Sequence, residues 1–398
     1  MLTRLSTVDA SDAEEADGAP TQLRGEITLV AHHVGPVGGM ERIISELALG
    51  LRRRGHAVTV IAYECDLPAD SGVTFRRVRG PSRPFVLSYP WFMVAGTLAV
   101  RRWRKGLVQA MGAIVLNPVD VIAIQYCQQV GPATPSRSNW LYAMNVKASG
   151  LLGRIAERVC FPINDPRRFV CASEGVAEEL RGYFPKLADR VGTIQNGVDI
   201  DAFAPGSRDQ EAQEARRVLE LAEDRNLAIF VGSEWDRKGL EPVIEALALV
   251  DGWDLLVVGA GDRDRYQALA DRLGVGGAVH WHGVSRDVAP LYQAADAFVF
   301  PTSYEAFPLV ALEAAASGLP MLATPVNGIR ELVQDGRNGF LISREPRDIA
   351  KRLGELAQSP ELRERLGTAA RTSALEFSWD KMVQRHDALY ASLPARPS

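Results

Sequence analysis

Residues Tyr304 to Gly318 read YEAFPLVALEAAASG, and the fold turns on how that stretch is understood. Pro308 fits the first position of a helix, where a missing N–H costs nothing, and Leu309 to Ala316 is a run of good helix formers that carries Glu313. Glu305 precedes the helix in a short loop, so two carboxylates straddle one helix N-terminus. Such a terminus offers unpaired backbone N–H groups and a partial positive charge, which suits an anion such as a diphosphate. The carboxylates are then left for hydroxyls on either side, Glu305 for a sugar and Glu313 for a ribose. Taken alone, the spacing also describes a capped surface helix with Glu313 in solvent. The flanking sequence argues for more: the apolar run Ala297 to Phe300 precedes it, and Gly318-Leu319-Pro320 with a second apolar run follows, which makes one βαβ unit.

Working outward, the same alternation repeats. Ile27 to Val34 reads as a strand, His33 to Gly39 as a loop, Glu41 to Arg54 as a helix stopped by Gly55, and His56 to Ile61 as a second strand. Strand patterns recur at Val119 to Ile124, Arg168 to Ala172 and Val191 to Ile194, with Ser173 placed to cap a helix. Asn196-Gly197 is a turn signal, a charged helical excursion runs to Asn226, and a second α/β series extends from Leu227 to about Phe377. Two such series in 398 residues predict an α/β protein of two Rossmann-like domains facing a central cleft, with the ligand at the carboxyl ends of both sheets. Arg237 and Lys238 follow the strand Leu227 to Val231, where two cations facing a bound diphosphate would stabilise its charge and that of the departing group. Gly38-Gly39 opens the first helix, and its missing side chains let a ligand approach the backbone; a tight turn needed only for packing is the alternative.

These motifs resemble the family 4 retaining glycosyltransferases of the GT-B fold. The residues that carry the resemblance are EAFPLVALEAAASGLPMLAT from Glu305, GGMERIISELALGLRRRGHAVTV from Gly38, IQNGVDIDAFAP from Ile194 and VGSEWDRKGL from Val231, in the family's order. The resemblance covers nearly everything after residue 25. It implies an acceptor domain over 26–195, a nucleotide-sugar donor domain over 196–377, and a segment 378–398 that crosses back onto the first domain. It implies transfer of a hexosyl group, with retention, from a nucleoside diphosphate sugar, UDP- or GDP-linked, to a hydroxyl in cell-surface glycan or glycolipid synthesis. No other cofactor is called for. The implied catalytic residues are Arg237, Lys238 and Glu305, and the implied donor-binding residues are Gly38, Gly39, Phe307, Leu309, Val310 and Glu313. Three departures stand out. Pro308 occupies a position where the family often has glycine, which leaves the N–H groups of Leu309 and Val310. Ser233 stands where a basic residue is common, so Arg237 is expected to replace it. Asp120 to Gln125 reads DVIAIQ, with alanine and glutamine where a histidine is frequent, and His32 and His33 are fallback candidates, a structural role being equally open.

Asp262-Arg263-Asp264 has the form of a metal-binding D-x-D, but carboxylates after a strand and a glycine turn also favour a helix N-terminus, and capping is the expected role. His280 and His282 alternate along a strand-like run, as at a sheet edge, without an evident third ligand. Metal-independent chemistry follows. A dinucleotide oxidoreductase is disfavoured because the first βα turn spells G-x-x-G-G rather than G-x-G-x-x-G. A sugar-nucleotide-binding subunit without catalysis is disfavoured by the intact Glu305, Glu313, Arg237 and Lys238. Glycosylation of a soluble small molecule remains an alternative.

Hydrophobic content of 46% and a net charge of -4 describe a soluble globular chain with no basic excess for nucleic acid. Cys65, Cys127, Cys160 and Cys171 show no metal spacing and read as free thiols, so the expected location is the cytoplasm. The first 25 residues, rich in Asp, Glu and Ala over 9–17, are expected to be a disordered acidic tail. Between Ser71 and Val119 stand eight Lys or Arg residues and no Asp or Glu, around the uncharged Pro84 to Val100 with Tyr89, Trp91 and Phe92. That segment is short for a transmembrane helix and reads either as an interfacial element on the anionic inner face of the plasma membrane or as a buried helix.

Overall fold

The structure, a computed structural model, describes residues 25–130, 140–206, 209–221 and 225–393, without the side chains of 140–146. The expected acidic tail lies outside the described residues apart from Gly25.

The first half begins with β1 (Glu26–Val30), which breaks at Ala31-His32 before the two-residue β2 (His33–Val34), so the apolar run is not one strand. There follow α1 (Gly39–Arg53), β3 (Ala57–Ala62), β4 (Glu64–Cys65), β5 (Thr74–Arg77), α2 (Phe85–Trp103), β6 (Leu107–Met111), β7 (Val121–Ile124), α3 (Trp140–Asn164), β8 (Arg168–Cys171), α4 (Glu174–Tyr183) and β9 (Val191–Thr193). Seven strands form a parallel sheet in the order β5-β3-β1-β6-β7-β8-β9, and β2 pairs with β4 apart from it. Central strands such as VIAI of β7 are apolar throughout because helices cover both faces. The stripe Ile43, Ile44, Leu47 and Leu51 turns α1 onto one face, and α2, α3 and α4 pack on the other. Ser173 caps α4 as its position suggested, accepting from the Val176 N–H at 3.2 Å.

The second half runs through α5 (Asp209–Val218), β10 (Asn226–Val231), α6 (Trp235–Lys238), α7 (Leu240–Leu247), β11 (Trp253–Val258), α8 (Arg263–Arg272), β12 (Val279–Gly283), α9 (Ala289–Ala294), β13 (Ala297–Phe300), α10 (Leu309–Ala316), β14 (Met321–Ala323), α11 (Ile329–Leu332), β15 (Gly339–Leu341), α12 (Pro346–Gln358) and α13 (Pro360–Ala374). Its six strands lie in the parallel order β12-β11-β10-β13-β14-β15. The last helix, α14 (Trp379–Ser392), crosses back onto α1, where His56 Nε2 meets Asp387 Oδ1 at 2.8 Å and the Tyr390 hydroxyl donates to Gln109 Oε1 at 2.7 Å. The protein is therefore an α/β chain of two Rossmann-like halves with a C-terminal helix returning to the first.

Each sheet reverses its strand order beside its first strand, between β1 and β6 and between β10 and β13, and ligands of such sheets bind outside the carboxyl ends at that switch point. The segments that follow β1, β10 and β13 carry Gly38-Gly39, Arg237-Lys238 and Glu305. The four cysteines are free, and Cys127, Cys160 and Cys171 are buried. Among the described residues no helix is long and apolar enough to cross a membrane.

Candidate active site

Two adjustments to the sequence reading bear on the site. Pro308 is the N-cap of α10 rather than its first helical residue, with ψ at 121° before the helix begins at Leu309. Arg237 and Lys238 stand between β10 and the helix α7 that begins at Leu240, but not in an irregular loop. They form the end of α6, a single turn entered through Glu234 in the left-handed region at φ 57°. A non-glycine residue held there marks a turn that the surroundings over-determine.

That turn aims both cations at the loop after β13. Arg237 Nη1 donates to Glu305 Oε1 at 2.9 Å and also to the carbonyl of Tyr304, while Nη2 donates to Glu234 Oε2 at 2.9 Å. Lys238 Nζ lies 3.9 Å from Glu305 Oε1 and 5.0 Å from the centre of the Phe300 ring. Its side chain is only 12% exposed, and it donates no hydrogen bond within 3.5 Å to a described residue. Burial, reinforced by Arg237, pushes the Lys238 pKa below its ordinary value against the pull of Glu305. Gly232, at φ 140°, makes room for this side chain, since a Cβ there would stand 2.4 Å from Nζ. A desolvated ammonium with one distant carboxylate is incompletely compensated, which is the state that an arriving anion would complete.

Glu313, five residues into α10, is buried rather than solvated. Arg42 of α1 donates to its Oε1 at 2.8 Å and the Tyr292 hydroxyl to its Oε2 at 3.3 Å. Burial raises its pKa, with Arg42 the main opposing influence. The Arg42 guanidinium also lies 5.7 Å from the Trp379 ring centre, so one side chain ties α1 to α10 and to α14. Leu309 packs against the core beside α1, and it and Val310 stand at the end of α10 where N–H groups lack intrahelical acceptors. Phe307 is different: its ring is buried against Phe377 and its carbonyl accepts from Asn196 Nδ2 at 3.1 Å, so only its N–H remains to offer a ligand. Gly38 takes φ 96° at the start of α1, and a Cβ on Gly39 would meet nothing within 4 Å, as at an open cleft.

Residues that the motifs did not single out complete the wall. Glu179 of α4 accepts from the Tyr304 hydroxyl at 3.0 Å and from Asn327 Nδ2 at 2.6 Å, and burial raises its pKa. Tyr126 stands edge-on to Tyr304, and its phenol is pushed up to about 12, chiefly by burial. Arg42 lies inside the quoted GGMER, but its partner is 271 residues away and no local pattern announces it. Just after β7, Gln125 and Asn196 exchange amide hydrogen bonds at 3.1 Å. His32 is packed among Tyr63, Tyr89 and Phe92, with its pKa lowered to about 4, mainly by burial, and His33 lies 3.5 Å from Glu64.

Asp262 caps α8, accepting from the Arg265 N–H at 3.2 Å. His280, in the edge strand β12, meets Asp254 Oδ2 at 2.8 Å. Among the described residues no three His, Cys, Asp or Glu side chains gather in a metal-binding group.

Comparison with known proteins places this geometry. The Glycosyltransferase Family 4 description matches residues 37–202, and that of Glycosyl transferases group 1 matches 211–373. The chain belongs to the family 4 glycosyltransferases of the GT-B type. A D-inositol 3-phosphate glycosyltransferase of Thermomonospora curvata is 31% identical over 391 residues, covering 88% of this chain and 90% of that protein. An uncharacterized glycosyltransferase of Methanocaldococcus jannaschii is 29% identical, covering 89% and 94%. Among solved structures, WaaG, a glycosyltransferase involved in lipopolysaccharide biosynthesis, superposes with a TM-score of 0.76 over 92% of this chain and 100% of its own at 22% identity. Anabaena HepE in complex with UDP-glucose does so with 0.72, over 93% and 100%, at 18%. At these identities the structures speak for the GT-B fold of this glycosyltransferase.

Proposed function

We propose that this glycosyltransferase moves a hexosyl group, with retention and without a metal, from a UDP- or GDP-linked sugar to an acceptor hydroxyl in cell-surface glycan or glycolipid synthesis. The carrying observation is Lys238, a buried ammonium whose nearest carboxylate is 3.9 Å away, next to Arg237 and the end of α10. A diphosphate in that position gains two cations and the N–H groups of Leu309 and Val310, and it offsets the desolvation already imposed on Lys238. Glu313 then serves the ribose side and Glu305 the sugar side. The UDP-glucose bound by the HepE structure supports a nucleotide-sugar donor.

No described side chain is set as an obvious nucleophile, so the route is a front-face displacement. The bond from the anomeric carbon to the diphosphate oxygen breaks as the acceptor oxygen bonds on the same face, and the acceptor proton passes to the leaving diphosphate. Arg237 and Lys238 hold the charge that develops there.

The acceptor has a second reading, a soluble small molecule, favoured by relatives named D-inositol 3-phosphate glycosyltransferases. The deciding experiment measures donor hydrolysis over a panel of nucleotide sugars by mass spectrometry, with and without EDTA. Turnover of one UDP or GDP sugar that survives EDTA supports the proposal. Loss of turnover on chelation with rescue by manganese refutes metal independence, and no hydrolysis together with no nucleoside diphosphate affinity refutes the donor.

A further inference from the structure

The sequence shows one apolar segment among cations; the folded chain shows two, side by side. On α2, Leu87, Trp91, Val94 and Leu98 follow one another along one side of the helix and are 61%, 51%, 61% and 59% exposed. The opposite side of that helix, with Tyr89, Phe92 and Val100, is packed in the core. On the neighbouring α3, Leu151, Ile155, Val159 and Ile163 recur at helical spacing and are 52%, 50%, 44% and 48% exposed. Contiguous outward apolar stripes on adjacent helices exceed the scattered exposed side chains of an ordinary soluble surface.

The charge around the stripes is one-sided. Between 71 and 119 there is no carboxylate, and the carboxylate within the described side chains of α3, Glu157, is buried and bonded to Gln129. A cavity of about 260 Å³ at the N-terminal end of α2 is lined by Arg77, Arg79, Gly80 and Ser82, with Tyr63, Glu64 and Val78. Trp91 Nε1 donates to the Arg79 carbonyl at 2.9 Å, which fixes that rim to the stripe. A second cavity of about 190 Å³ at the other end is lined by Arg76, Arg102, Arg104 and Lys105, with Thr59, Thr74 and Trp103. Apart from Lys105, which is 3.5 Å from Glu26, none of these arginines and lysines pairs with a carboxylate among the described residues.

We infer that the outer face of α2 and α3 together is a seat for a bilayer carrying anionic phospholipids, with both helices lying in the interface and the basic cavities taking head-group phosphates. Apolar side chains flanked by unpaired cations, with an indole among them, fit the boundary between acyl chains and anionic head groups. A second copy of this chain fits less well: both ends of the stripe are basic, so either antiparallel or parallel apposition sets cation against cation. The seat stands independently of the proposed donor chemistry.

Co-sedimentation with phosphatidylcholine vesicles, with and without phosphatidylglycerol, tests it. The wild-type protein should bind only the anionic vesicles and release as salt rises. Arg101→Ser/Arg102→Ser/Arg104→Ser should weaken partition by about fivefold per cation. Leu151→Ser/Ile155→Ser/Val159→Ser should weaken it by roughly tenfold or more. Melting temperature and nucleoside diphosphate affinity should stay at wild-type values. Absence of wild-type binding to anionic vesicles at low salt overturns the inference without recourse to any variant. Undiminished binding by the α3 variant, or a dimer in light scattering that this variant dissolves, also overturns it.

Discussion

The wall formed by α6, the loop after β13 and α10, and the outer face formed by α2 and α3, depart from the ordinary distribution of side chains in opposite senses. In the first, Lys238, Arg237, Glu305 and Glu313 are drawn out of water, each exposing a fifth or less of its side chain. In the second, eight apolar side chains are left in it. Both arrangements cost folding free energy relative to a conventional surface, and neither is needed to close a core that the four hydrophobic clusters already fill. Sequences agree with their folds at most positions, and disagreement of this kind concentrates where a ligand or partner completes the structure.

The sharpest way to break the comparison is at the cations. Lys238→Ala and Arg237→Ala should each lower kcat on the order of a hundredfold at saturating donor, as loss of one charge-stabilising donor does. Near wild-type kcat in either variant would remove the leaving-group role and reduce the wall to an ordinary buried network.

The two glutamates give the next largest effect. Glu313→Gln should weaken binding of the free nucleoside diphosphate roughly ten- to hundredfold, the worth of a hydrogen bond to a charged group. Glu305→Gln should leave that affinity nearly unchanged and impair sugar transfer instead. Calorimetric titration separates the two, and equal losses would deny the division of roles. Arg42→Ala sharpens the point: it strands the Glu313 carboxylate in the interior and should cost roughly 2–3 kcal/mol of stability in urea melts, less than a fully buried pair because the Arg42 side chain is 25% exposed. A stability loss much below this would mean that Glu313 finds compensation within its own half.

What could be read from the sequence follows from how local each determinant is. The alternation of strands and helices, the caps at Ser173 and Asp262, and the motif carrying Glu305 and Glu313 are properties of a few consecutive residues, and they survive folding with shifts of a residue or so. The return of α14 to α1 was legible through the family resemblance alone. Three features were not legible because they depend on which elements become neighbours: the Arg42 to Glu313 pair, the Glu179 cluster on Tyr304 and Asn327, and the α3 stripe. The last looks like half of a buried helix until α2 takes the place beside it and the remaining side is left uncovered. The α6 turn was hidden for a related reason, since Glu234 enters it through a left-handed backbone that its residue type does not advertise.

The smallest predicted effect tests whether the wall of α6 and α10 is held at a cost. Burial lowers the Lys238 pKa below 10.5, so between the folded and unfolded values the unfolded chain carries a proton that the folded chain has released. In that window the unfolded state binds more protons, and stability rises with pH by at most about 1.4 kcal/mol per unit from this one group. Below the window both states are protonated and the full penalty of the desolvated ammonium remains. Lys238→Met keeps a similar volume against Phe300 without the charge, so below that window it should raise the melting temperature slightly while lowering transfer on the order of a hundredfold, and the gain should shrink as pH climbs toward 10.5. Thermal melts of the two proteins across that range give the difference directly, since buried tyrosines that titrate nearby are common to both. A variant less stable than wild type below the window would show that Glu305 more than compensates the ammonium, and the contrast with the exposed apolar face would then hold for composition but not for energy.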